Sequence, residues 1–399
     1  MKISLIQPGR NNLKYLKWSY SSIRKHQGEH EVEICVADDA STDGTWEWCQ
    51  EMMSKDSNFK AILNDTGQRL GHTILYDRLI NEVATNDICM IYHADMYLCP
   101  GALDAIEDEL KEKTIVSLTR IEPPLHPDGP EKILKDFGVE PEEFNEQGLL
   151  KFLDSRVPNN DTTEGIFAPW AFWKNDFQEI GGHDPLYAPQ SKEDSDIFNR
   201  FQLNGIKFIQ TWHGCVYHMT CRGSRRNTVD KAKNIYEDSP EWLAQNIRST
   251  RNFIRKWGHF VKHDDYMKPI IPPKYDIGLL IENDNPQLLE ILEPWFNTIY
   301  INFGVVNSYI NSEQSNTSFD LSKKFYPSNH PVFNNILVSI NGSNFTQQDY
   351  ELIQNISEII TDSGEIGEFE LGNLKININS LETFENDLIF IENSHNEKN

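Results

Sequence analysis

Short apolar runs alternate with amphipathic stretches along the first 113 residues, and polar loops separate the two. The apolar runs predict buried strands at residues 2–7, 31–37, 60–63 and 88–92. Apolar residues at helical spacing predict helices at residues 13–26, 46–52, 74–83 and 101–113. This repeated order of strand, loop and helix predicts a mostly parallel, right-handed, doubly wound α/β sheet.

The pattern becomes less regular after residue 113. Residues 123–158 are rich in Pro, Gly and acidic residues, which indicates an irregular insertion with one helix near residues 141–153. The remaining predicted elements are strands at 115–119, 166–173, 206–210 and 215–217, and a short helix at 194–202.

A proline-rich stretch at residues 269–275 reads as a linker between two domains. We expect a first domain at residues 1–268 and a smaller α/β or α+β domain at residues 276–399. In the second domain the predicted strands are 276–282, 298–303, 335–340, 369–378 and 388–391, and the predicted helices are 286–295 and 346–360. The sequence of this domain shows no chemical motif. It does not discriminate among an acceptor, a partner protein and a second copy of the chain as what the domain binds.

Charge and composition narrow the class of protein. The net charge of −24 argues against binding nucleic acid or anionic lipid through bulk charge. No apolar run is long enough for a membrane span, and the N-terminus lacks the apolar core of a signal peptide. The six cysteines form no Cys-x-x-Cys pair, so we expect reduced thiols and a cytoplasmic protein.

Acidic residues follow several predicted strands. Asp38 and Asp39 follow the second strand, Asp95 follows the fourth, and Glu193 with Asp194 lies at the start of the helix at 194–202. Each has a simpler explanation, because acids also cap helices and favour their first turns. However, parallel strands bring their carboxyl ends to one crevice, which is where open α/β sheets bind ligands.

Four motifs in order resemble the family-2 glycosyltransferases of the GT-A fold. Val36–Thr45 reads Val-Ala-Asp-Asp-Ala-Ser-Thr-Asp-Gly-Thr, similar to the family's Val-Asp-Asp-Gly-Ser-Thr-Asp-Gly-Thr, and follows an Ile3–Asn11 strand and loop. His93–Leu103 resembles Asp-Ala-Asp-Asp-x-x-x-Pro-Gly-x-Leu. Gly181–Asp184, followed by Lys192–Asp196, resembles Gly-Gly-Phe-Asp followed by Glu-Asp-x-Asp. The resemblance covers roughly residues 1–225 and implies a GT-A domain.

The resemblance implies an inverting, metal-dependent glycosyltransferase. Such an enzyme moves a sugar from a UDP- or GDP-sugar donor to a hydroxyl of a glycan, lipid-linked or protein acceptor, with Mn²⁺ or Mg²⁺ bridging the diphosphate. The implied catalytic base is Asp194. The implied metal ligands are Asp95, His218 and His93. The acceptor-binding candidates are Glu193, Trp170 and His183. The nucleotide-binding candidates are Pro8, Arg10, Asp38, Asp39, Arg69, Ala94 and Arg222, with Arg225 and Arg226 beside the last.

The chain departs from the family pattern at several positions. His93 replaces the first Asp of the Asp-x-Asp motif, and Gly71–Asp77 stands where Gly-x-x-x-Ala-Arg-Asn is common. His213 competes with His218 as the metal ligand. Two other readings therefore stay open: a degenerate GT-A domain that only binds a sugar nucleotide or glycan, and a sugar nucleotidyltransferase. The second lacks the long basic Gly-rich loop that it needs after the first strand. A homo-oligomer formed through the C-terminal domain is also possible.

Overall fold

The computed structural model describes residues 1–220, 226–230, 235–283, 285–302, 304 and 306–391, with the backbone alone for residues 226–230, 235 and 236. The chain divides into two compact units. Unit 1 consists of residues 1–245 and 263–269, and unit 2 of residues 246–262 and 270–399. Residues 246–262 thus group with the C-terminal part of the chain, although the sequence pattern assigns them to the first domain.

Unit 1 is built from a large sheet and the helices that connect its strands. The strands are β1 (Lys2–Gly9), β2 (Glu31–Asp38), β3 (Phe59–Leu63), β4 (Ile88–Ile91), β5 (Met96–Leu98), β6 (Thr114–Glu122), β7 (Lys132–Leu134), β8 (Thr162–Thr163), β9 (Trp170–Trp173) and β10 (Lys207–His218). The helices are α1 (Leu13–His26), α2 (Thr45–Lys55), α3 (His72–Arg78), α4 (Ala102–Glu109), α5 (Glu146–Ser155), α6 (Lys174–Glu179) and α7 (Glu193–Leu203). Strands β11 (Arg226–Asp230) and β12 (Ile235–Asp238) form a separate antiparallel pair.

The sheet of unit 1 has the order β3-β2-β1-β4-β9-β6-β10-β5, with β7 beside β6 and β8 beside β10. Strands β1 to β4 run parallel to one another, as predicted. Strand β9 is antiparallel to both β4 and β6, and β5 is antiparallel to β10. The sheet is therefore mixed: β6 also runs parallel to β10 and β7, and the antiparallel members are β5, β8 and β9.

Local sequence patterns predicted most strands and helices of unit 1. Where the observed limits differ from the predicted ones, the difference has a physical cause. Helix α1 has the predicted limits. Strand β1 continues through Pro8 to Gly9, because the missing N–H of Pro8 removes only one ladder bond and the pairing with β2 goes on. The strands predicted at 206–210 and 215–217 are one strand, β10, since its pairing with β6 resumes after an irregularity between Thr211 and Cys215.

The insertion at residues 123–158 packs onto the rest of unit 1 through an apolar cluster. Phe137 and Leu149 of the insertion share this cluster with Tyr97 and Tyr217. Helix α5 begins five residues later than predicted, because Asn145 caps it by accepting a hydrogen bond from the backbone N–H of Gly148. The insertion is therefore an ordered part of the domain.

Unit 2 contains a second, smaller sheet. Its strands are β13 (Ile277–Glu282), β14 (Thr298–Tyr300), β15 (Phe325–Tyr326), β16 (Ile336–Asn341), β17 (Gly367–Leu371) and β18 (Leu374–Ile378), in the order β15-β14-β13-β16-β18-β17. Its helices are α9 (Leu289–Leu292), α10 (Val306–Glu313), α11 (Gln347–Gln354) and α12 (Ile356–Ser363), and α8 (Pro240–Trp257) begins in unit 1 and ends in unit 2. A core of Ile, Leu and aromatic side chains fills the space between its sheet and its helices.

Three predictions for unit 2 were wrong in detail. The strand predicted at 369–378 is a hairpin of β17 and β18, turned at Gly372 with a left-handed φ of +60°. The strand predicted at 388–391 is replaced by a helical turn at Glu385–Leu388. The helix predicted at 346–360 divides at Asn355 into α11 and α12. The fold class is nonetheless confirmed: a mixed α/β domain followed by a smaller α/β domain.

Candidate active site

The carboxyl ends of β4 and β10 bring three potential ligand side chains together. Among the described residues, His93, Asp95 and His218 form a group whose ligand atoms all lie within 4.8 Å of one another. Asp95 lies in the short turn between β4 and β5, and the pairing of β5 with β10 sets His218 opposite Met96. As a result Nε2 of His218 lies 3.4 Å from Oδ1 of Asp95. Asp95 does not open helix α4, because β5 separates them.

Glu122, at the end of β6, orients His218. Its Oε1 accepts a hydrogen bond from Nδ1 of His218 at 2.8 Å and another from Arg120 at 2.9 Å. This pairing leaves Nε2 of His218 directed to Asp95, and it is the arrangement usual behind metal-ligating histidines. The sequence patterns missed Glu122, because the predicted strand ended at residue 119 and β6 runs on to Glu122.

The charges of the three side chains depend on one another. Burial lowers the pKa of His93 to about 3, so its imidazole is neutral at physiological pH. Burial alone would also lower the pKa of His218, but the Asp95 and Glu122 carboxylates outweigh it and raise that pKa to about 9. Burial opposes ionisation of Asp95 too, yet His218 holds its pKa below the ordinary value.

This donor set fits a divalent cation. Two imidazole nitrogens and one carboxylate oxygen suit Mn²⁺ and other first-row transition metals, whereas Mg²⁺ prefers oxygen ligands. His93 supplies a neutral nitrogen where the resemblance expects a carboxylate. A cation at this site would displace the proton that His218 otherwise holds. His213 does not join the group; its Nε2 lies 2.8 Å from Asp161, and both side chains are exposed.

Asp39 accepts hydrogen bonds from residues 64–71, in the loop before α3. Its Oδ1 accepts hydrogen bonds from the Asn64 side chain at 2.6 Å and from the backbone N–H of Leu70 at 2.9 Å, and its Oδ2 accepts from Gly71 at 2.9 Å. Asp38 is fully buried, and burial raises its pKa. Neither caps α2, which follows Gly44 and whose first residue, Thr45, bonds to Asp43. The alternative reading as helix caps is therefore wrong.

The other nucleotide-binding candidates differ in their burial and in their hydrogen-bond partners. Arg69 donates to Gln190 at 2.6 Å, and its Nε lies 4.0 Å from Asp39. Arg10 is exposed in the loop after β1, whereas Pro8, within β1, and Ala94 are buried. Arg222 and Arg225 lie outside the described residues, and so does the side chain of Arg226.

Glu193 and Asp194 are the first two residues of α7. Ser191 and Lys192, just before them, hold left-handed φ values of +82° and +72°, an uncommon conformation for such residues that clusters at functional sites. Burial, reinforced by the adjacent Asp194, raises the pKa of Glu193 to about 8. Burial also raises the pKa of Asp194, and His183 opposes that rise.

The acceptor-binding candidates Trp170 and His183 are both buried. Trp170 has no exposed surface and packs with Phe172, Phe198 and Phe201. Its ring therefore offers no face to a sugar, and the structure does not bring it into the site. His183 packs against Tyr76, with the two rings 5.5 Å apart.

Helix α3 contributes two residues that the sequence patterns missed. Burial lowers the pKa of His72 to about 4, and Arg69, Asp39 and Asp95 also act on it. Tyr76 is buried, and after burial the Asp194, Glu193 and Asp95 carboxylates raise its pKa further. Tyr76 therefore lies within electrostatic range of Asp95 and of the Glu193–Asp194 pair, and His72 within range of Asp95 and Asp39. The departure of residues 71–77 from the family motif was the only sequence signal for them.

Unit 1 has the mixed α/β sheet and the order of motifs that the resemblance to family-2 glycosyltransferases implies. Residues 4–181 match the family described as glycosyl transferase family 2. The match confirms the resemblance over somewhat less than half of the chain, so unit 1 carries a family-2-like glycosyltransferase domain of the GT-A fold.

Solved structures with a similar fold include three glycosyltransferases. GalNAc-T7 with UDP, GalNAc and Mn²⁺ is 13% identical with a TM-score of 0.46, over 64% of this chain and 48% of that one. Mannosyltransferase PcManGT from Pyrobaculum calidifontis with GDP-Man and Mn²⁺ is 17% identical with a TM-score of 0.40, over 55% and 57%. S. aureus TarS 1–349 with UDP-GlcNAc is 15% identical with a TM-score of 0.38, over 64% and 66%.

The chain spans about half the length of the first two of these structures. Their low identities and TM-scores transfer no residue role to this chain. A search of curated proteins gives no match. Within the described ranges, every helix is too short or too polar to cross a bilayer.

Proposed function

We propose that the protein is an inverting, metal-dependent glycosyltransferase. It would transfer a sugar from a UDP- or GDP-sugar to a hydroxyl group of a glycan, lipid-linked or protein acceptor. The observation that carries the proposal is the convergence of His93, Asp95 and His218 within 4.8 Å in a domain whose residues 4–181 match glycosyl transferase family 2. The electrostatic influence of Asp95, Glu193 and Asp194 on the same Tyr76 supports one common site.

The cation would be held by His93, Asp95 and His218, and Mn²⁺ fits them best. When bound, it supplies positive charge to the diphosphate, where charge develops as the nucleotide leaves. Glu122 keeps Nε2 of His218 directed to the cation side by accepting from Nδ1. Arg69 donates a hydrogen bond to Gln190 and lies beside Asp39. It would provide a further positive charge near the nucleotide.

Asp194 would take the proton of the acceptor hydroxyl. It is half-buried at the start of α7, whereas Glu193 beside it is buried. Burial and the adjacent Asp194 raise the pKa of Glu193 to about 8, so Glu193 carries a proton at neutral pH. Direct attack by the hydroxyl on the anomeric carbon would invert its configuration.

A catalytically degenerate domain that binds a sugar nucleotide or glycan is the second candidate. The observation that favours it is His93, which lowers the negative charge of the site by replacing an acid. A nitrogen donor there weakens Mg²⁺ binding more than Mn²⁺ binding, so the choice of metal bears on both candidates.

The test is turnover of UDP- and GDP-sugars with Mn²⁺, measured for the full chain as release of nucleoside diphosphate, together with nucleotide binding by calorimetry. We expect turnover in the wild type. Asp194→Asn should lower kcat by about 10²–10⁴-fold and keep nucleotide affinity, because it removes only the base. Asp95→Ala should abolish Mn²⁺-dependent binding.

Asp161→Asn, at an exposed aspartate far from these ligands in sequence, is the matched control and should leave all values unchanged. Nucleotide binding without turnover for every donor would favour the degenerate domain. Binding that needs no metal and survives Asp95→Ala would contradict the metal site.

A further inference from the structure

Two loops that carry candidate site residues contact each other at Gln190. This residue is 8% exposed, and its Oε1 accepts a hydrogen bond from Nη2 of Arg69 at 2.6 Å, across 121 residues of sequence. The hydroxyl of Thr73 donates to the carbonyl of Pro189 at 3.4 Å. The loop before α3 is therefore hydrogen-bonded to the segment that ends just before Ser191.

Gly71 brings the same two loops into direct backbone contact. It has a left-handed φ of +77°, and a Cβ atom there would lie 2.6 Å from the carbonyl carbon of Pro189. Only glycine allows the two backbones to approach so closely. The backbone N–H groups of Leu70 and Gly71 donate to the two carboxylate oxygens of Asp39, each at 2.9 Å. Asp39, the loop before α3 and Pro189 thus form one continuous set of contacts.

Gln245, in α8, holds the backbone of the same segment. Its Nε2 donates to the carbonyl of Gln190 at 3.0 Å and to that of Ala188 at 3.4 Å. Gln245 is half-buried and belongs to unit 1. Both glutamines lie beyond residues 4–181, so the family match does not cover them.

The path from Gln190 to helix α7 is short. Only Ser191 and Lys192 separate Gln190 from Glu193, which is the first residue of α7 and is followed by Asp194. Both intervening residues hold left-handed φ values, of +82° and +72°. Because so short a connection leaves little room for independent movement, a displacement of Gln190 would also displace the first turn of α7.

We propose that Gln190 is a positioning residue that couples the nucleotide side of the site, at Asp39 and Arg69, to the placement of Asp194. The inference rests on the proposed function, which assigns the nucleotide to the first two residues and proton transfer to the third. A nucleotide bound beside Arg69 restricts Gln190 through the hydrogen bond between them. It also restricts Pro189 through its contact with Gly71. Gln245 holds the carbonyls of the same segment, so Asp194 keeps one position relative to the donor.

Hydrogen exchange with and without nucleotide tests the coupling and needs no activity assay. In the wild-type full chain with Mn²⁺, UDP or GDP at about 100 times Kd should slow amide exchange by about 10-fold or more at residues 68–71 and at residues 190–194. Gln190→Leu removes the acceptor for Arg69. In this variant the slowing should persist at residues 68–71 and fall to less than about twofold at residues 190–194.

A rescue variant and a control accompany this measurement. Gln190→Glu keeps an oxygen acceptor for Arg69 and should restore the slowing at residues 190–194. Gln178→Leu is the matched control, because the exposed Gln178 also makes a long-range side-chain hydrogen bond, to Asn81 at 2.9 Å. This control should behave as the wild type does.

The separation of kcat from KM gives a second readout. With the donor that the wild type turns over, Gln190→Leu should lower kcat by about 10-fold, because Asp194 is misplaced. The KM for the donor should change by less than about threefold, since Asp39, Arg69 and the cation ligands remain. Gln245→Leu should act in the same way, and the double variant should lose less than the product of the two single losses, because both act on one segment. Thermal melting checks that each variant is folded, and Gln245→Leu serves if Gln190→Leu is not.

The outcomes separate the coupling from the proposed function. If the wild type binds nucleotide, slowing at residues 190–194 that is absent, or that survives Gln190→Leu, contradicts the coupling alone. A donor KM that rises as much as kcat falls would instead assign Gln190 to nucleotide binding. A wild type that shows the coupling but turns over no donor contradicts the proposed transfer alone. A wild type that binds neither UDP nor GDP contradicts both.

Discussion

Two buried glutamates, one in each unit, show how differently this chain handles an acid in its interior. Glu193 is 8% exposed and Glu293 is 0% exposed. Burial raises the pKa of Glu193 to about 8, and the neighbouring Asp194 adds to that rise. The pKa of Glu293 instead lies well below its ordinary range, because Lys324 and Arg255 outweigh the effect of its complete burial.

The hydrogen-bond partners account for the difference. Oε2 of Glu293 accepts from Arg255 at 2.6 Å and from Tyr309 at 2.9 Å, and Oε1 accepts from Lys324 at 2.6 Å. Glu313 adds a second acid that also contacts Arg255. Oε2 of Glu193 has no partner among the described residues, and of its two charged sequence neighbours Asp194 acts on it more strongly than Lys192.

A satisfied buried charge and an unsatisfied one serve different purposes. The network around Glu293 joins the second half of α8 to α10 and to Lys324, so removing one member would leave the others uncompensated. Burial raises the pKa of both Glu193 and Asp194, that of Glu193 to about 8, as is common among acids that transfer protons. We therefore assign stability to the first group and chemistry to the second.

The largest effect on stability should come from Glu293→Gln. The amide leaves Arg255 and Lys324 buried beside a neutral group, so we expect the free energy of unfolding to fall by about 3–5 kcal/mol. Urea unfolding of the full chain, followed by circular dichroism, measures it. Glu290→Gln, an exposed neighbour, is the control and should change stability by less than about 0.5 kcal/mol. A loss as small as that of the control would show that the network is not a stabilising one.

The next effect in size concerns the proposed cation. Glu122→Gln should weaken Mn²⁺ binding by about 10–100-fold, because the amide no longer holds Nδ1 of His218 as a charged acceptor. Electron paramagnetic resonance of free Mn²⁺ measures the affinity without any activity assay. Glu112→Gln, at an exposed position, provides the comparison. Equal Mn²⁺ affinity in both variants would remove Glu122 from the proposed site.

The smallest effect should be that of Glu193→Gln near pH 4.5. Glu193 is protonated there in the folded protein, so its amide analogue should change the free energy of unfolding by less than about 1 kcal/mol. The same substitution is thus nearly neutral at Glu193 and strongly destabilising at Glu293.

The pH dependence gives a second check on Glu193. Its pKa is higher in the folded protein, at about 8, than the ordinary 4.5, so the folded state binds the extra proton between those values. Stability should therefore fall as pH rises from 4.5 through 8, and this slope should disappear in Glu193→Gln. Urea unfolding at several pH values measures the slope. A slope that persists in the variant would assign the titration to another group.

Much of the first domain follows from local patterns. The apolar runs gave β1 to β4, the helical spacing gave α1, and the order of elements gave the parallel half of the sheet. Asp95 follows β4 and His218 ends β10, as the resemblance implied, because the end of a strand is set by residues close together in the chain. Trp170 illustrates the limit: an aromatic residue in an apolar strand fits core and ligand site equally, and only burial places it in the core.

The chain's sequence thus determined the elements, their order and the acids and histidines that lie at their ends, since each depends on residues close together in the chain. Tertiary structure decided which of these side chains meet. Arg69 and Gln190 are 121 residues apart, and Glu122 and His218 are 96 apart. Their pairing depends on strand order, on the backbone at Gly71 and on burial, none of which has a periodic signal in the sequence. Tertiary structure also gave Glu193 and Glu293 different pKa values. The same side chain has a raised pKa where folding leaves it beside another acid, and a lowered pKa where folding surrounds it with Arg255 and Lys324.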